Sequence, residues 1–130
     1  MTATEARSWV VELLMWDRPP LNQNQRLHWA EKARRTSHMR TVGCLLGISH
    51  KLPKGLDRVH LEFHWQPAVV RPRDTDNPIW KPLVDGLVTD YGLTADDDSE
   101  HVTSAVVIHP AAKPAKLWLE VTEIREDQPE

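Results

Sequence analysis

The chain has 130 residues, 27% of them charged, and a formal net charge of −3. That length suits one domain with a single core and leaves no room for a second catalytic unit, so any larger assembly is expected to come from self-association. No run approaches the roughly 18 to 20 uninterrupted apolar residues that a spanning helix needs, and residues 1–7 carry no basic stretch followed by an apolar one. The expectation is a cytoplasmic, unexported protein with no membrane partner. A single cysteine, Cys44, excludes an internal disulfide. Beside Leu45 and Leu46 it reads as a small buried hydrophobe rather than a nucleophile. Charge is uneven along the chain: residues 1–81 hold 13 Lys and Arg against 8 Asp and Glu, and residues 82–130 hold 3 against 11. The net acidity therefore does not exclude an anionic partner, because the first segment can still present a phosphate-binding face.

Residues 8–15 are apolar and β-branched enough for a first strand, closed by Pro19 and Pro20, which lack backbone donors. After a polar loop, Trp29, Ala33, Thr36, Met39, Val42 and Leu46 recur at spacings of three and four. This predicts a helix with that stripe inward, Arg34, Arg35 and His38 off it, and a stop at Gly47. Residues 51–55 are turn-rich. In residues 58–65, Val59, Leu61, Phe63 and Trp65 alternate with Arg58, His60, Glu62 and His64, which predicts a strand with the first set on the core. Asn77 or Pro78 begins a second helix reaching about Val88, with Trp80, Leu83, Val84 and Leu87 inside. Residues 102–109 and 116–124 read as two strands, and 110–115 is short enough to join them as a hairpin. Residues 1–7 and 125–130 are expected to be frayed tails. The order β-α-β-α-β-β makes residues 1–130 one α+β domain, a small mixed sheet with flanking helices.

Chemistry concentrates in residues 71–87 (RPRDTDNPIWKPLVDGL) and 95–99 (ADDDS). Two carboxylates about 5 Å apart repel by roughly 3 kcal/mol at an effective dielectric of 20, so aspartates gathered from these segments call for a cation. Oxygen-only ligands select hard ions such as magnesium or manganese. Such an ion activates water and neutralises charge developing on phosphoryl oxygens, as phosphodiester hydrolysis requires. Taken singly, each element has a plainer use. The triple aspartate makes a solvated turn or a cap, Asp74 and Asp76 suit a turn capped by Asn77, and Lys81 with Asp85 makes a surface pair worth about 0.5 kcal/mol or less. His60, Glu62 and His64 share one strand face and offer zinc donors, although an exposed face or a dimer contact has the same pattern.

Read in order, Asp74-Thr75-Asp76-Asn77, Lys81, Asp85-Gly86-Leu87, Asp96-Asp97 and a strand from Val102 resemble the RusA family of Holliday junction resolvases. The segment from Pro19-Pro20 to Trp29 is similar to the Pro-Pro-x-x-Asn segment of that family, especially of its phage-encoded branch. The resemblance covers about residues 10–124. It implies a small mixed sheet in a homodimer that acts on branched DNA and takes no small-molecule substrate. By the same resemblance, Asp74, Asp76 and Asp97 hold magnesium, or manganese in its place, with Asp96 beside them. The triple run leaves the register open between Asp97 and Asp98. Lys81 then stands near the scissile phosphate, to stabilise charge or position water. The activity implied is that of an endodeoxyribonuclease of DNA recombination and repair, resolving four-way junctions by symmetric paired nicks. Arg71 and Arg73 are the expected phosphate contacts, with Arg26, Lys32, Arg34, Arg35 and Arg40 as a second patch. A related nuclease of forks or flaps and a non-catalytic DNA-binding module of the same fold are the alternatives. An interaction protein with a calcium loop fits less well, since that loop needs oxygen ligands at regular spacings over about a dozen residues.

Overall fold

The computed structural model describes residues 7–23, 25–95, 98 and 100–124. Its elements are β1 (Ser8–Glu12), α1 (Trp29–Ser49), β2 (Val59–Gln66), α2 (Lys81–Asp85), β3 (Val102–Ile108) and β4 (Lys116–Glu123), with a π-helical turn (Gly86–Asp90) running on from α2. The fold is α+β in the expected order. Among the described residues the strands form one mixed sheet, ordered β1-β4-β2-β3. β2 and β3 are parallel, and β4 runs antiparallel to both β1 and β2. No helix among the described residues is long and apolar enough to cross a membrane.

The expected hairpin between the last two strands does not form. β3 and β4 lie on opposite sides of β2, and residues 109–115 pass over its end. Gln66 Nε2 fastens that passage by donating to the carbonyls of Ala112 at 3.2 Å and Pro114 at 3.0 Å, while the Ala112 N–H reaches Pro67 O at 2.9 Å. Burial explains the choice. Leu117, Leu119 and Val121 of β4 are buried at alternate positions, which a central strand rewards, whereas Thr103 and Ser104 of β3 are exposed and suit an edge.

On β2, Val59, Leu61 and Phe63 face the core as expected, and Phe63 stacks on Trp80 with ring centroids 4.7 Å apart. Two helical expectations need correction. Gly47 does not stop α1, which continues to Ser49; it is the surface against which the Tyr91 ring packs, and a Cβ there would meet ring atoms at 2.5 Å. One helical turn earlier, a Cβ on Gly43 would lie 2.2 Å from Leu83 O, and one on Gly86 would lie 1.9 Å from Arg40 O. These glycines let the two helices cross backbone to backbone. Because residues 81–90 are short, they cover only the second half of α1. Met39, Val42 and Leu46 are buried there, while Trp29 at the other end is 76% exposed and Ala33 is also exposed.

The second helix begins at Lys81 rather than at Asn77 or Pro78. Pro78 instead forms an antiparallel bridge with Asn22, and Pro82 occupies the first helical turn, where a missing N–H costs nothing. The π turn follows from a Tyr91 N–H bond to Gly86 O at 2.9 Å, five residues back. Arg40 pins the turn to α1 by a paired bond to Asp90, with Nε at 2.7 Å and Nη2 at 2.9 Å.

Candidate functional site

Residues 74–77 form a tight turn. Asp74 Oδ1 accepts the Asp76 N–H at 3.0 Å, and the Asn77 N–H returns to Asp74 O at 3.0 Å. A short polar side chain closing on the backbone two residues on is the usual role of Asp at such a position. The turn is bound to a segment some fifty residues earlier. The Gln23 N–H donates to Asn77 O at 2.8 Å, the Ile79 N–H to Leu21 O at 3.0 Å, and Gln23 Nε2 to Asp76 O at 3.2 Å. Leu21 and Trp80 are buried beneath this pairing, and Trp16 lies 6.0 Å from Trp80 between ring centroids. A firm apolar base thus carries an exposed acidic turn.

Both aspartates of the turn are exposed. Asp74 has one oxygen engaged in the turn, which leaves its second oxygen and the Asp76 carboxylate as hard donors. Their chemistry fits magnesium, which binds through one or two carboxylates, keeps several waters and accepts phosphate oxygens. Asp96 and Asp97 lie outside the described residues. Asp98 shapes the backbone that leads into β3. Its Oδ1 accepts the N–H groups of Glu100 at 3.0 Å and His101 at 3.2 Å and meets His101 Nδ1 at 2.5 Å. The His101 hydrogen bond holds the Asp98 carboxyl below the usual carboxylate range.

Lys81 opens α2 with its side chain 71% exposed and its Nζ 2.6 Å from Asp85 Oδ1. The pair expected from their spacing is formed, at the rim of a cavity of about 340 Å³ lined by Phe63, Pro78, Trp80, Lys81 and Ser104. Arg71 is exposed. Arg73 folds back: Nη1 donates to Val69 O at 2.8 Å, and the guanidinium lies 4.8 Å above the Trp65 ring. Arg26 and Lys32 are exposed, while Arg34 and Arg35 both pair with Glu31. Arg35 Nη1 also donates to Pro20 O at 3.0 Å, tying α1 to the proline segment. Arg34 and Arg35 line a larger groove of about 1350 Å³ together with Trp16, Arg18, His38 and Lys116. Sequence reading missed this groove because its walls come from stretches far apart in the chain.

A second acidic group lies on the other face of the sheet. One ligand atom from each of Glu62, His64 and Glu120 falls within 4.8 Å of the others, a possible metal-binding group. His60, Glu62 and His64 are legible in the sequence as one strand face. Glu120 is not, because it arrives through the pairing of Glu62 with Glu120 across β2 and β4. The available signal is the outward phase of β4, where Trp118 and Glu120 alternate with buried leucines. No protein-family model matches the chain, and no curated protein matches it.

Proposed function

We propose that this chain is a magnesium-dependent endodeoxyribonuclease of the RusA type, cutting four-way DNA junctions by paired nicks. The observation that carries the reading is the hydrogen-bonded union of the proline segment with the Asp74-Asp76 turn. These are two of the stretches whose sequences resemble that family, and Lys81 opens α2 four residues after Asn77 at the end of the turn. Asp74 and Asp76 would hold the ion, with Asp97 completing the set and Asp96 next to it. The ion would supply charge neutralisation and an activated water when bound. Lys81, turning from Asp85 to the scissile phosphodiester, would stabilise the charge that develops on the phosphoryl oxygens in the transition state. Arg71, Arg26 and Lys32 would contact phosphates, which position a duplex without reading its sequence.

Two strands of like polarity must be nicked at related positions, and a two-fold homodimer is the simplest arrangement that presents two such sites. The test is incubation with a synthetic immobile four-way junction, a fork and a linear duplex, each with and without magnesium. Cleavage of the junction alone supports the reading. Preference for the fork assigns the related fork or flap activity, and binding without cleavage in magnesium or manganese assigns a DNA-binding module.

A further inference from the structure

The cluster on the sheet face away from Trp80 has a composition unlike the Asp74 turn. Phe63 stacks on Trp80, so Glu62 and His64, of opposite phase on β2, project from the other side. There His64 is 7% exposed, on the face that simple alternation assigns to solvent. Its ring packs against Trp118, at 4.9 Å between centroids, and His109, at 5.0 Å, and these two rings lie 5.0 Å from each other, so the three form one cluster. His64 Nδ1 is 2.8 Å from His109 Nε2, which fixes the ring and commits that nitrogen.

The other nitrogen, Nε2, is buried and has no hydrogen-bond partner among the described residues. Glu62 Oε1 lies 2.9 Å from it and Glu120 Oε2 lies 3.4 Å from it, yet neither forms a hydrogen bond with it. A buried imidazole nitrogen left in this way costs about 1 to 3 kcal/mol. Three donor atoms spaced like this, with no hydrogen bond among them, suit ligands arranged around a common centre. With metal–ligand bonds of about 2.0–2.1 Å, tetrahedral geometry separates ligand atoms by roughly 3.3 Å.

We propose that Glu62, His64 and Glu120 form a zinc-class divalent cation site, separate from the magnesium turn, that clamps β2 to β4. One imidazole and two carboxylates are a donor set for a borderline ion such as Zn²⁺, not for magnesium, which prefers oxygen alone. Each ligand has an outer partner that would orient it: His109 on His64 Nδ1, Trp118 Nε1 donating to Glu120 Oε2 at 3.4 Å, and His60 Nε2 at 3.7 Å from Glu62 Oε2. Glu62 and Glu120 are a third or more exposed along their side chains, so a fourth position opens to water. Such a site would raise folding stability by binding only the paired strands.

The probe is Zn²⁺ itself, titrated by calorimetry into the full chain carrying no histidine tag and stripped with a chelator, with Co²⁺ absorption and thermal unfolding as further readouts. The expected result is one ion per chain, a raised melting temperature, and visible Co²⁺ bands of four-coordinate intensity. Glu62→Gln and Glu120→Gln, both on partly exposed positions, should each weaken binding at least about tenfold, and His109→Ala by about 10 to 100-fold. Asp74→Asn should leave it unchanged. The proposal is overturned if wild-type chain binds no zinc, if the double Glu62→Gln, Glu120→Gln variant binds as tightly as wild type, or if Asp74→Asn is the variant that loses the ion.

Discussion

The turn at residues 74–77 and the cluster of Glu62, His64 and Glu120 are both acidic, yet they are mounted in different ways. The turn stands on a loop, offers exposed oxygens only, and rests on Leu21 and Trp80. The cluster stands on two adjacent strands, mixes nitrogen with oxygen, and buries its histidine against the rings of Trp118 and His109. An open oxygen site can share its ion with a substrate phosphate, which is what hydrolysis needs. A site whose ligands are fixed by a sheet can hold an ion tightly but has little freedom to follow a reaction. Acidic character alone therefore says little; the mounting of each carboxylate decides its use.

The largest expected effect breaks one region and spares the other. Asp74→Asn or Asp76→Asn should lower junction cleavage by at least about 100-fold, since one charge at the ion is lost, while junction binding survives. Gel-shift and cleavage assays on the same preparations check this, and zinc binding should be untouched. Asp97→Asn should match them. Asp98→Asn should retain most activity, because the Asp98 carboxylate already serves Glu100 and His101. Near-normal cleavage by Asp97→Asn with a dead Asp98→Asn moves the third ligand by one position.

Next in size is the platform beneath the turn. Gly43→Ala should destabilise the protein by about 3 kcal/mol, since the new methyl meets Leu83 O and forces the helices apart. Urea unfolding measures it, and a loss under about 1 kcal/mol would show that the crossing can relax. Smaller again is the Arg71→Ala, Arg73→Ala double variant. If both arginines meet phosphates, the slope of log affinity against log salt should fall by about 1.8. A fall of about half that would mean that Arg73 stays on Trp65 in the complex.

The smallest effect is on acid stability. Hydrogen bonds from Arg40 and His101 depress the carboxyls of Asp90 and Asp98 below their ordinary value of 3.8. The stability these groups contribute is present above that value and is lost as pH falls through the lower folded values. Wild type should therefore lose its advantage over the Asp90→Asn, Asp98→Asn double variant below pH 3.8, as read by unfolding at stepped pH.

Element types and order were legible because alternation on β2 and the spacing of Met39, Val42 and Leu46 report burial directly. The strand order was not, since loop length favoured a hairpin while the apolar content of β4 won it the central place. The helix start was misread because Pro78 pairs with Asn22, a partner remote in sequence. For the candidate site, Asp74, Asp76 and Lys81 stood out by their order, and Lys81 with Asp85 by spacing. Glu120 was hidden because it reaches His64 only through cross-strand register.

The most direct measurement is single-turnover cleavage of an immobile four-way junction, each strand labelled in turn, across a magnesium titration. The expected result is magnesium-dependent nicks at symmetric positions in two strands of like polarity, abolished by Asp74→Asn and preserved in Glu120→Gln. A junction left intact at saturating magnesium and manganese, or cut equally well by Asp74→Asn, would contradict the assignment of the turn as the catalytic ion site.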